Sequence, residues 1–121
     1  MGATWHDAYL HDVQTNQVRR HYMTRVFISG PIRGMPDYNV PAFMAAEKML
    51  TDQGCAVMNP VKLHPANPDA FSHEDYMRIC LAMLDVCDAI YLLPGWMDSK
   101  GAVEEAKHAI VHGITVWEVI T

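Results

Sequence analysis

Basic residues are in deficit in this 121-residue chain: nine lysines and arginines stand against fourteen aspartates and glutamates, for a formal net charge of −5. That balance argues against a general binder of nucleic-acid polymers or anionic membranes, which need clustered cations to neutralise phosphate. A local basic spot for a single phosphate is compatible with it. Cysteine is scarce as well. Cys55, Cys80 and Cys87 are odd in number and have no CxxC spacing, so neither a disulfide framework nor a zinc ribbon is expected. They read as small apolar residues in a reducing, cytoplasmic setting. Long hydrophobic runs are missing: none approaches the ~20 residues that a membrane span needs, and Met1–Met23 has no continuous apolar segment of signal-peptide type. Repeats and low-complexity tracts are absent too. No Gly-Lys-Ser/Thr ends a phosphate loop, and no GxGxxG opens a helix.

What is present is ordinary for one globular domain. Half of the residues are hydrophobic, and a domain of this size buries roughly 65% of its unfolded surface. Residues 1–22 are polar, with weak periodicity. They are expected to be a poorly ordered extension: a short helix, an arm on a partner subunit or a start-site addition. The domain proper spans 23–121. From Arg25 the chain alternates strand and helix. "RVFIS" (25–29) is a β-branched and aromatic run stopped by Gly30-Pro31. Residues 36–54 predict a helix with Asn39 as N-cap, Pro41 in its first turn, Phe43, Ala46 and Leu50 on one face, and Gly54 as its stop. "CAVMNP" (55–60) is a second strand. Residues 73–87 predict a helix with Tyr76, Cys80, Met83 and Cys87 on one face. "DAIYLLP" (88–94) is apolar almost throughout, as a strand covered on both faces should be. A helix over 99–113 and a strand over 114–119 close the chain.

The order β-α-β-α-β-α-β predicts a parallel sheet of four or five strands with helices on both faces. Ligands in such sheets bind at the C-terminal ends of the strands, where the strand order reverses. The segments there are Gly30–Tyr38, Asn59–Pro65 and Pro94–Gly101. In the first, Gly30 and Gly34 permit close backbone approach, and Arg33 is the loop's one cation, suited either to a phosphate or to solvent. In the last helix, stepping ~100° per residue groups Ala102, Ala106, Ala109 and Ile110 as an inner stripe, with Val103 on its other side. Glu104 then points to solvent. Glu105 lies at the stripe's edge, either facing a cleft or simply placed favourably near a helix N-terminus. Trp96 is a base-stacking platform or a lid, and Asn59 a ligand contact or a turn cap. His108 and His112 have the i, i+4 spacing of a metal pair, but no third ligand accompanies them, so no metal is expected.

Three segments, "VFISGPIRGMPDYN", "VMNP" and "LLPGWMDSKGAVEEAKHAIVHG", resemble a small domain of phage and bacterial genomes. That domain is similar to the nucleoside 2-deoxyribosyltransferases and the 2'-deoxynucleoside 5'-phosphate N-hydrolase. The likeness runs from about Thr24 to Val119. It implies a flavodoxin-like three-layer α/β fold, a homodimer, no cofactor, and a nucleoside or nucleotide as small-molecule partner. It also implies cleavage or transfer at the N-glycosidic bond, with a glutamate attacking C1' of the sugar. The family pattern Ser-x-Gly-x-x-x-Glu, with Ala and Gly four and eight residues beyond the glutamate, is matched by Ser99, Gly101, Glu105, Ala109 and Gly113. Glu105 is thereby the expected nucleophile. Gly30, Ile32, Arg33 and Gly34 form the expected phosphate loop, joined by Ser99 and Gly101, with Asn59 and Trp96 toward sugar or base. Two positions depart from the pattern. Phe27 stands where these enzymes carry a tyrosine that orients the glutamate, and Cys80 stands where they carry an aspartate. A binding module without turnover is the alternative those departures favour.

Overall fold

The computed structural model describes residues 23–63 and 65–118. The expectations for residues 1–22, and for the last strand beyond Glu118, lie outside them. Four strands form one parallel sheet: β1 (Arg25–Ser29), β2 (Ala56–Met58), β3 (Ala89–Leu92) and β4 (Thr115–Glu118), in the order β2-β1-β3-β4. Three helices alternate with them: α1 (Val40–Asp52), α2 (His73–Asp85) and α3 (Lys100–Val111). This is the flavodoxin-like α/β arrangement, with four strands. The chain steps outward from β1 to β2 and then crosses back to β3, so the strand order reverses between β1 and β3.

β1 and β3 are the central strands, and their composition follows from that. Val26, Phe27 and Ile28 are fully buried, as is Ile90, because each strand has a neighbour on both edges and helices on both faces. Strand alternation divides them. Val26, Ile28 and Ala89 pack with Phe43, Ala46 and Leu50 of α1. Phe27, Ile90 and Leu92 pack with Cys80 and Leu84 of α2 and Ala106 and Ala109 of α3. Burying a Phe43-sized side chain contributes about 3 kcal/mol, so the stripe predicted for α1 is also what holds it to the sheet.

Helix ends follow local chemistry. Ser72 caps α2 in a reciprocal box with Asp75. Ser99 caps α3, its Oγ accepting from the Ala102 N–H at 3.2 Å. Asn39 occupies the N-cap position of α1 but does not cap it: its backbone is left-handed (φ 60°), and its side-chain amide donates to the Pro31 carbonyl at 2.9 Å. It therefore ties the turn Pro36–Asn39 back to the loop after β1.

Two face assignments are corrected. On α2 the buried residues are Met77, Cys80 and Leu84, not Tyr76, Cys80, Met83 and Cys87 together. Both stripes pass through Cys80, but the real one leans toward α3, where Met77 meets Gly101. Cys87 is buried beyond the helix end, and Tyr76 and Met83 are half-buried. On α3, Ile110 is 67% exposed. The stripe there is narrow: its buried small residues are Ala102, Ala106 and Ala109, with Glu105 beside them.

Candidate functional site

The loops after β1 and β3 meet where the strand order reverses. Gly95, in the β3 loop, has φ 84°, and a Cβ there would stand 3.5 Å from Pro31 Cγ in the β1 loop. Beneath this junction α3 begins with its Ser99 cap, continues through Gly101, and brings Glu105 inward one turn later. Glu105 is only 7% exposed. Its Oε1 accepts a 2.5 Å hydrogen bond from the Ser29 hydroxyl, which is itself buried. The Cys80 thiol of α2 lies beside the carboxylate and favours its ionised form.

This environment sets the protonation of the pair. Burial raises Glu105 to about 7, against the lowering effect of the bonds from Ser29 and Cys80. Burial also pushes the Cys80 thiol up to about 12, and the neighbouring carboxylate adds to the rise. Near neutral pH, then, Glu105 exchanges a proton readily while Cys80 keeps its own. The site has one tunable acid–base group, a hydroxyl bonded to it and a neutral thiol beside it.

Ser29 was absent from the expected site. The resemblance pointed to Phe27 as the β1 position beside the glutamate, and Phe27 is an entirely buried core residue with no polar group to offer. The hydroxyl comes from two residues further along, on the same face of the strand. Period-two alternation from Phe27 is the signal that would have found it.

The other expected site residues fall into three groups. Ser99, Gly101 and Glu105 lie together on α3, and the β1 loop with Gly30, Ile32, Arg33 and Gly34 adjoins them through Pro31 and Gly95. Arg33 is exposed and makes no ion pair among the described residues. Gly34 adopts φ 79°, which favours glycine. Gly30 has a packing reason to be glycine: an added Cβ would come within 2.8 Å of Leu93 Cβ. Ile32 packs against the α1-side core.

Trp96 is tethered rather than free. Its indole N–H donates to Glu118 at 2.9 Å and its ring lies against the α2/α3-side core, as a lid over the sheet end would. Asn59 is separate from this group and fully engaged. Its Oδ1 accepts from the Val61 N–H at 3.1 Å, and its amide donates to Glu47 at 3.1 Å. Of its two sequence readings, the turn cap is the role it fills. Glu47 in turn holds Lys62 at 2.7 Å, which lowers its pKa. His108 is paired with Asp85 at 2.5 Å and stacked on His112. Among the described residues no three His, Cys, Asp or Glu side chains gather as metal ligands would.

Fold and site together define a flavodoxin-like α/β domain with a buried, hydroxyl-bonded carboxylate at the reversal of its strand order. Residues 24–118 match the family described as Domain of unknown function (DUF4406), and the chain belongs to that family. Among curated proteins none matches it in sequence. No described helix is long and apolar enough to cross a membrane.

Proposed function

We propose that the chain cleaves or transfers at the N-glycosidic bond of a deoxynucleoside or its 5'-monophosphate, with Glu105 as nucleophile. The observation that carries this reading is the Glu105 carboxyl: 7% exposed, held by Ser29 and raised to about 7. An oxocarbenium-like transition state demands a carboxylate fixed in place against C1'. Ser29 fixes one oxygen of that carboxylate. The Glu105 oxygen bonds to C1' as the C1'–N bond breaks, and the electron pair leaves with the base. Water, or the nitrogen of a second base, then attacks C1' and releases the carboxylate. Arg33 and Ser99 are assigned to the 5'-phosphate, with the backbone of Gly30, Ile32, Gly34 and Gly101 around it and Trp96 toward the base. The protein would act in the cytoplasm as a homodimer, with no cofactor.

The test is a chromatographic screen of nucleosides and deoxynucleoside monophosphates for released base, with Glu105→Ala as control. Base released by wild type and not by the variant is the expected result. No release from any substrate, or equal release by both proteins, defeats the reading. Cys80 favours a second reading, a nucleotide-binding module without turnover. A thiol near 12 is a poor acid where catalysis needs one. In that case a nucleotide raises the melting temperature of wild type while no base appears.

A further inference from the structure

His73 opens α2 and has a polar atom the site described above does not use. Its Nε2 is shielded from solvent and has no hydrogen-bond partner among the described residues. Such orphaned buried nitrogens are rare, and each calls for a reason, because leaving one unpaired costs about 1–3 kcal/mol. A core packing role does not supply the reason: the ring stands at the helix N-terminus, half-buried, beyond the apolar stripe of Met77, Cys80 and Leu84.

Its neighbours do. A Cβ on Gly101 would lie 3.7 Å from His73 Cε1 and 3.4 Å from Met77 Sδ. One turn further along both helices, Glu105 of α3 meets Cys80 of α2. The two helices therefore run side by side in the same direction, and the imidazole stands roughly one turn, about 5 Å of axial rise, nearer the strand ends than the carboxylate. His73 stands beside Gly101, one helical turn before Glu105 on α3. Gly101 is the α3 residue nearest both, and a Cβ there would be in ordinary van der Waals contact with Met77 and His73.

We infer that His73 is a catalytic residue of the glycosidic reaction, the acid that protonates the departing base. The inference rests on the reading of Glu105 as nucleophile. In the first step Glu105 bonds to C1', the C1'–N electron pair passes to the base, and the Nε2 proton of the imidazolium moves to a base nitrogen. In the second step water attacks C1', the carboxylate departs, and the water's proton returns to Nε2. The sum is nucleotide plus water giving deoxyribose phosphate plus base, with His73 and Glu105 restored. The helix that lacks a usable acid at Cys80 thus provides one two turns earlier.

The experiment compares two leaving groups on wild type, His73→Gln and Glu105→Ala. One substrate is 2'-deoxyadenosine 5'-monophosphate, whose base must be protonated to leave. The other is 4-nitrophenyl 2-deoxyribose 5-phosphate, whose phenolate leaves without a proton. His73→Gln is expected to slow adenine release by at least about 100-fold, the lower range for general acid catalysis, and nitrophenol release by less than about threefold. Equal losses on both substrates, or no loss on either, overturn the inference while leaving the Glu105 reading intact. Nitrophenol release by wild type that disappears in Glu105→Ala tests that reading separately, and its absence defeats both. If His73→Gln does not melt cooperatively, wild type alone decides across a series of phenols and bases. A shallow dependence of rate on leaving-group basicity is expected, and a steep one refutes an acid at the site.

Discussion

Replacing Glu105 by glutamine should make the protein more stable above neutral pH and leave it little changed in acid. The folded state holds this carboxyl at about 7 against an ordinary value of 4.5, with burial as the main cause. A raised folded pKa means that the native state holds the proton more tightly than the unfolded chain does. The stabilising contribution is therefore fully present below about 4.5 and is lost as pH rises through about 7. The difference of about 2.5 units, at 1.36 kcal/mol each, amounts to about 3 kcal/mol between the two ends of that window. Glutamine keeps the shape and never ionises. It has to accept the Ser29 hydroxyl through its amide oxygen, at a cost of about 1 kcal/mol or less. The variant should match wild type or fall slightly below it at pH 4.5, and exceed it by about 2–3 kcal/mol at pH 8. Urea unfolding followed by far-ultraviolet circular dichroism at pH 4.5, 6, 7 and 8 measures this. Taking the difference between the two proteins at each pH removes the contribution of the seven histidines, which both share. A difference that does not change with pH would refute the burial argument, and with it the account of Glu105 as a tuned group. If the variant is also inactive, the charge that costs stability is the one the function requires.

Ser29→Ala should move the same transition toward alkaline pH by roughly one unit, because the bond it removes is worth about 1.5 kcal/mol to the ionised form. The pH of half-maximal base release, or of the stability difference above, reports the shift. Gly30→Ala should destabilise by about 1–3 kcal/mol, since its Cβ would stand 2.8 Å from Leu93 Cβ between two central strands; thermal melting checks it. Tyr38 is 67% exposed and sits at φ 50°, in a left-handed turn with Asp37 and Asn39. Tyr38→Gly should therefore raise stability by about 1 kcal/mol, and an unchanged or lower unfolding free energy would show that the turn is not strained.

The elements were legible where burial is symmetric. β1 and β3 are apolar on both faces because both faces are covered, and α1 announces its inner face through Phe43, Ala46 and Leu50. Helices that touch two things at once were less legible. α2 packs on the sheet and on α3, so its buried stripe turns toward Met77, which lies opposite Gly101. Helix phase put Glu105 at the edge of the inner stripe and left open whether it faced a cleft; the structure buries it. Its partner was not legible: Ser29 and Glu105 are 76 residues apart, and only the fold brings a strand's last residue to the second turn of a helix two strands later.

By itself the sequence determined the alternation of strands and helices, the parallel sheet and the place of Glu105 at the edge of the inner stripe, because these depend on periodicity and local capping. Tertiary structure alone decided the site's chemistry: the Ser29 bond, the burial that lifts Glu105 toward neutrality, the commitment of Asn59 to a turn, and the unpaired His73 nitrogen. Those are contacts between distant segments, and their energies come from desolvation and pairing, which do not exist until the chain has closed on itself.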